Sequence, residues 1–98
     1  MQVAETILQQ LGGNRFIAMT GARNFVGRPA SLTFALPGRM TTNGANRVVV
    51  ELTSDDLYTV EFLRVRGLNL SIVGEVSGVY ADSLRAVFEQ ATGLRTSL

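Results

Sequence analysis

The chain opens on a helical pattern: Val3, Ile7, Leu8 and Leu11 recur on one face, while Glu5, Gln9 and Gln10 can meet water. Residues 3–11 are expected to form an amphipathic helix, stopped by Gly12-Gly13, which tolerate positive φ. A helix this short does not persist alone, so its apolar stripe must dock. Residues 15–20, from Arg15 through Phe16, Ile17 and Met19 to Thr20, form a compact apolar run between glycines and read as a buried strand. Residues 21–29 carry Gly21, Asn24, Gly27 and Pro29 and read as a loop, with Phe25 plugging the core.

Period-two alternation then takes over. In residues 31–36 it sets Leu32, Phe34 and Leu36 on one face, and in residues 47–52 it sets Val48, Val50 and Leu52 inward. Between them, residues 37–46 are poor in apolar groups, and Asn43-Gly44 is a turn dipeptide, which predicts a long hairpin loop or a flexible tip. Residues 53–56 resemble a capping box, with Thr53 reaching forward and Asp56 back around a helical turn or a tight bend. The strand at 58–66 breaks phase: Tyr58, Val60 and Phe62 share one parity, Leu63 and Val65 the other. A bulge near Phe62-Leu63, or cover on both faces, would reconcile them. Gly67 turns the chain into a last strand through Leu68, Leu70 and Ile72. Tyr80, Leu84, Val87, Phe88 and Ala91 mark a final helix, capped by Gly93 with Leu94 folding back.

The expected architecture is a single α+β domain over residues 1–98, in the order α-β-β-β-β-β-α. Four to five strands form a mostly antiparallel sheet, with the terminal helices on one face or one on each.

Composition narrows the chemistry more than it changes the fold. The chain has no cysteine and no histidine, which removes disulfides, thiolate nucleophiles, the commonest general base and the commonest transition-metal ligand. Met1 to Glu5 lacks the basic region and apolar stretch of a signal peptide, and no run approaches the ~20 apolar residues of a membrane span. A soluble cytoplasmic protein with no membrane contact and no cofactor is the expectation; homo-oligomerisation stays open.

All nine basic residues are arginine, against eight acids, for a net charge of +1. Arg15, Arg23, Arg28, Arg39 and Arg47 fall in the first half beside Glu5 alone, and residues 12–47 carry no acid. A GC-rich genome also accounts for arginine in place of lysine, and folding can mix the two halves into a neutral surface.

Glycines 12, 13 and 21 fit no phosphate-loop or dinucleotide fingerprint and read as turns. No base is present to activate a serine in a triad. Glu51, Asp55, Asp56 and Glu61 are the only candidates for carboxylate catalysis or Mg²⁺ or Ca²⁺ binding. Asp55-Asp56 is equally accounted for as charge at a helix start, and Glu51 and Glu61 as outer strand positions. The chain therefore reads as a non-enzyme.

Binding fits better. An acid-free stretch with five arginines can supply bidentate phosphate contacts, and Phe25 is the aromatic left for a base to stack on, because Phe16 and Phe34 are placed inside. The candidate nucleic-acid-binding residues are Arg15, Arg23, Arg28, Arg39, Arg47 and Phe25. Arg64 and Arg66 share one face and would add to a patch lying near Arg23. The pI of about 8.3 is lower than dedicated nucleic-acid domains show. A protein-binding role through an exposed edge strand, a mobile 37–46 loop or the tail at 94–98 leaves no signature and stands as the rival.

The segment at 10–25 (Gln10-Leu11-Gly12-Gly13-Asn14-Arg15-Phe16-Ile17-Ala18-Met19-Thr20-Gly21-Ala22-Arg23-Asn24-Phe25), together with residues 56–62 and Tyr80-Ala81-Asp82-Ser83-Leu84, resembles small proteins encoded by bacteriophages, prophages and plasmids. That group has no assigned activity, so the resemblance carries over no functional residue. It implies a mobile-element accessory protein, a kind that often binds nucleic acid or blocks a host defence complex as an anti-CRISPR or anti-restriction factor.

Overall fold

The structure, a computed structural model, describes residues 3–96. Three helices and five strands follow in the order α1 (Val3–Leu11), α2 (Asn14–Thr20), β1 (Arg23–Arg28), β2 (Ser31–Ala35), β3 (Arg47–Leu52), β4 (Tyr58–Arg66), β5 (Asn69–Val79) and α3 (Leu84–Thr92), with 3₁₀ turns at Gly38–Met40 and Ala81–Ser83. The strands form an antiparallel meander with spatial order β1-β2-β3-β4-β5. The α+β class and five-stranded antiparallel sheet are as expected, but the first strand is not where the sequence put it.

Residues 14–20 are helical, not extended. A short apolar run cannot declare its own period, and here a helix places Phe16 and Thr20, four apart, on the buried side. The ends seal it locally. The Thr20 hydroxyl donates to Phe16 O at 2.7 Å, and left-handed Gly21 donates its amide to Ile17 O at 3.0 Å. The stretch read as a loop supplies β1 instead. Its pairing with β2 shifts register between Arg23 and Val26, where Asn24 adopts a φ of 57°, and this bulge turns Phe25 inward.

The inner face carries Leu32 and Phe34 from β2, Val48 and Val50 from β3, and Tyr58, Val60 and Phe62 from β4. All three helices pack on it through Ile7, Leu11, Phe16, Leu84 and Phe88. Phe16 meets Phe34 and Phe88 edge to face, at 5.4 and 5.1 Å between centroids. β1 can lie close beneath α1 because Gly27 has no side chain: a Cβ there would stand 2.9 Å from that of Ala4. The outer face carries Thr33, Val49, Glu51, Thr59 and Glu61 and has no helix over it.

A register shift falls at the expected place but not within β4, so it does not reset the β4 phase. The β4–β5 register shifts between Phe62 and Leu63, and the extra residue, Val73, belongs to β5. β4 keeps its alternation against β3, so Leu63 and Val65 face outward. β5 runs past Ile72 to Val79, and its glycines serve the strand rather than ending it. Gly74 lies under the Phe62 ring, and Gly78 takes a φ of 66° at a second register shift.

Three local readings are corrected. Residues 53–56 make a hairpin turn without a capping box: Asp56 is left-handed, and the Thr53 hydroxyl donates to Leu57 O or the Asp55 carboxylate. The final helix begins at Leu84 after a 3₁₀ turn and leaves Tyr80 exposed. The tail, to the limit of the described residues, is not a free surface. Leu94 folds back and is buried as expected, and buried Thr96 donates its amide and hydroxyl to Glu89 at 2.8 and 2.9 Å. Ser97 and Leu98 lie outside the described residues.

Candidate nucleic-acid interface

A meander sorts strand ends by parity. The starts of β1, β3 and β5 share one end of the sheet with the finishes of β2 and β4. Arg23 opens β1, Arg47 opens β3, Arg64 and Arg66 close β4, and Arg39 sits in the β2–β3 connection. Five arginines thus meet at one end, and no acid is carried by its strand ends or connections. The opposite end holds Asp55 and Asp56 in the β3–β4 turn, Asp82 after β5, and Arg28 at the β1–β2 turn. The linear asymmetry between chain halves has become an asymmetry between sheet ends.

Two of the five lie in one cross-strand row of the outer face. Arg23 pairs with Ala35 and Ala35 with Arg47, which separates the arginines by two strand spacings, about 10 Å. The other three converge. Arg39, Arg64 and Arg66 line an open cleft of about 520 Å³ between residues 38–46 and the β4–β5 hairpin, with Asn46, Gly44 and Gly67 also contributing. A second hollow of about 380 Å³ shares Arg64 and Arg66 and continues to Asn69 and Ser71 at the start of β5. All three arginines are exposed, and among the described residues no ion pair engages them.

The cleft is built on a tied connection. Asn46 donates from Nδ2 to Val65 O and accepts the Val65 amide at Oδ1, both at 2.8 Å. Its own amide donates to Leu63 O and its carbonyl accepts the Leu36 amide, each at 2.9 Å. The Thr41 hydroxyl donates to Gly38 O or Ala45 O, Asn43 Oδ1 accepts the Ala45 amide, and the Thr42 amide donates to Thr92 O at 2.8 Å, at the end of α3. The connection expected as a long loop or flexible tip is thus cross-braced to three neighbours. Gly44 completes it: with φ at 77°, its missing Cβ would lie 3.1 Å from Arg64 Nη1, so the guanidinium rests against bare backbone.

Of the residues the sequence singled out, Arg23, Arg39 and Arg47 share this end. Arg28 is at the far end, and Arg15 is exposed on α2, in the helical layer. Phe25 is half-buried with its ring 5.5 Å from Phe34, so it plugs the core as expected of the segment. Arg64 and Arg66 were legible as a same-face pair, but nothing local announced that Arg39 would fold over beside them.

Two titratable groups away from the cleft are shifted by their surroundings. Burial raises the Tyr58 pKa while its hydroxyl donates to Gln10 Oε1 at 2.6 Å. Hydrogen bonds from Thr96 hold the Glu89 carboxyl below its ordinary range. Glu61 and Glu75 stand directly opposite each other on β4 and β5. Among the described residues, no group of three or more acidic side chains is placed to hold a metal ion, and no helix is long and apolar enough to cross a membrane. No family model matches the chain, and neither does any curated protein or solved structure.

Proposed function

We propose that the protein is a non-enzymatic nucleic-acid-binding accessory protein of a mobile element, and that its contacts are made by the arginine end of the sheet. The supporting observation is the convergence of Arg39, Arg64 and Arg66 on one braced cleft, flanked by Arg23 and Arg47, with no acid on the strand ends or connections there. Guanidinium groups suit this task because their planar forks bind phosphate oxygens two at a time and stay charged at every physiological pH. The interface reads phosphate rather than base edges: Phe25, the one aromatic expected to stack, is half-buried against Phe34 and the core. The test is a gel-shift series with single- and double-stranded DNA and RNA in low salt. A retarded complex that disappears when Arg39, Arg64 and Arg66 are changed to alanine supports the reading. Failure of the wild-type protein to shift any of the four probes rejects it.

A second reading rests on β5. This edge strand leaves Leu70 and Ile72 59% and 61% exposed, with Leu68 and Val76 also uncovered. Open edges with apolar side chains are where proteins add a partner's strand. An inhibitor or adaptor acting on a host defence complex, of anti-CRISPR or anti-restriction type, would use that edge. Ile72→Ser with Val76→Ser would then abolish inhibition of the defence complex while leaving nucleic-acid binding intact; unchanged inhibition would exclude the edge.

A further inference from the structure

The five arginines are arranged in two different ways, and the difference bears on which phosphate each group takes. Arg23 and Arg47 are spaced along a flat outer row, as suits successive phosphates of a strand passing over it. Arg39, Arg64 and Arg66 face one concavity. Resting on the nucleic-acid reading above, we infer that this cleft receives the terminal phosphate of a strand in preference to an internal phosphodiester.

Charge matching is the first reason. A phosphodiester brings one negative charge, whereas a terminal phosphomonoester carries about −1.5 to −2 near neutral pH and presents three strong acceptor oxygens. Three guanidinium groups with no acidic partner among the described residues are under-neutralised by a diester and better matched by a monoester.

Shape is the second. Gly38, Gly44 and Gly67 line the cleft, and Gly67 has open space where a Cβ would stand, so a phosphate can approach its backbone closely. A strand end can enter a concavity head-on, but a continuous backbone must bend to do so. The adjoining hollow, lined by Arg64, Arg66, Asn69, Leu70 and Ser71, gives the next nucleotide a path out, with Leu70 beneath the sugar and the polar groups within reach of the phosphate.

Preorganisation is the third. Asn46 fixes the connection to Val65, and Gly44 supports the Arg64 guanidinium, so less side-chain freedom is lost when the anion binds.

The experiment compares one single-stranded oligonucleotide sequence carrying a 5′-phosphate, a 3′-phosphate or hydroxyls at both ends. Fluorescence anisotropy is read at fixed salt, with adenosine monophosphate and inorganic phosphate as competitors. At least one phosphorylated end is expected to bind about tenfold tighter than the unphosphorylated strand. The advantage should vanish in Arg39→Ala/Arg64→Ala/Arg66→Ala and persist in Arg23→Ala/Arg47→Ala. It should shrink in Arg64→Lys, which keeps the charge but loses the fork. It should also shrink on going from pH 8 to pH 5, because the monoester takes up a proton near pH 6; the ionisable groups lining the cleft are all arginines, Arg39, Arg64 and Arg66. The cleft arginines are exposed, so an unchanged thermal melt will establish that these variants fold.

Equal binding of all three strands overturns the terminal-phosphate inference while leaving nucleic-acid binding standing. Absence of binding to every strand removes the reading beneath it. Adenosine monophosphate binding as tightly as the phosphorylated strand overturns the strand end as the ligand and assigns the cleft to free nucleotides.

Discussion

The two ends of the sheet are made from the same strands and carry opposite chemistry. At the far end the connections are tight: β1 turns into β2 between Arg28 and Ser31, and β3 into β4 through a short turn bearing Asp55 and Asp56. At the near end one connection is long, cross-braced by Thr41, Asn43 and Asn46, and folded over the finish of β4 so that its arginine joins two others. Tight turns only need to reverse the chain, and their acids are solvated or satisfy the turn itself, as the Asp55 bond with Thr53 does. A long connection must be held down by more polar bonds, and here those bonds hold it beside a concave arginine surface.

The largest effect should come from reversing charge at the near end. Arg64→Glu with Arg66→Glu is expected to weaken nucleic-acid binding at least a hundredfold near 100 mM salt, from lost contacts and new repulsion. Asp55→Asn with Asp56→Asn at the far end should change it by less than about threefold, since exposed charges beyond a Debye length are screened. Comparable losses from both pairs would dissolve the distinction between the ends.

Asn46→Ala should be the most destabilising polar change, because it strands both the amide and the carbonyl of Val65. Urea denaturation should register a loss of about 1–3 kcal/mol. A midpoint like that of wild type would mean that the connection is held by something other than Asn46.

Gly44→Ala forces an L side chain into the left-handed region, at a cost of roughly 1–2 kcal/mol, and pushes on Arg64. Thermal melting should detect the first effect and a lower affinity for the 5′- or 3′-phosphorylated strand the second. Unchanged affinity in the Gly44→Ala variant would show that Arg64 does not need this support.

The smallest effect is acid sensitivity near the end of α3. The folded state holds the Glu89 carboxyl below its usual pKa, so its contribution is present above the unfolded value near 4.5 and fades as pH falls through the lower folded value. Glu89→Gln should flatten the acid limb of a stability–pH curve slightly. An unaltered limb would indicate that the Thr96 bonds contribute nothing.

Much of the fold was legible because its strands alternate cleanly. Val48 and Val50 on β3, Leu32 and Phe34 on β2, and the α1 stripe announced both their element and their buried face. Residues 14–20 did not, since four adjacent apolar side chains suit a buried strand as well as a short helix, and only docking of Phe16 against Phe34 and Phe88 decides between them. β1 was hidden for the opposite reason. Among its residues only Phe25 enters the core, Gly27 replaces an inward side chain, and the rest are exposed, so pairing to β2 defines it and periodicity does not.

Half of the candidate site was visible in the same way. Arg64 and Arg66 share a parity that anyone can count, and Arg39 stood out by charge. Their meeting depends on Asn46 imitating a strand partner for Val65, a tertiary bond with no local signature. The apparent division of charge between chain halves was misleading in detail, because an antiparallel meander redistributes charge by strand parity and leaves Arg28 among acids.

The most direct test is the salt dependence of single-strand binding for wild type beside Arg39→Ala/Arg64→Ala/Arg66→Ala. One phosphate in the cleft and one each on Arg23 and Arg47 predict that log K falls against log salt with a slope of about −2, reduced in magnitude by about 0.7 when the three cleft arginines are removed. A wild-type slope near zero, or a slope that the substitutions leave unchanged, would contradict an arginine end built for phosphate.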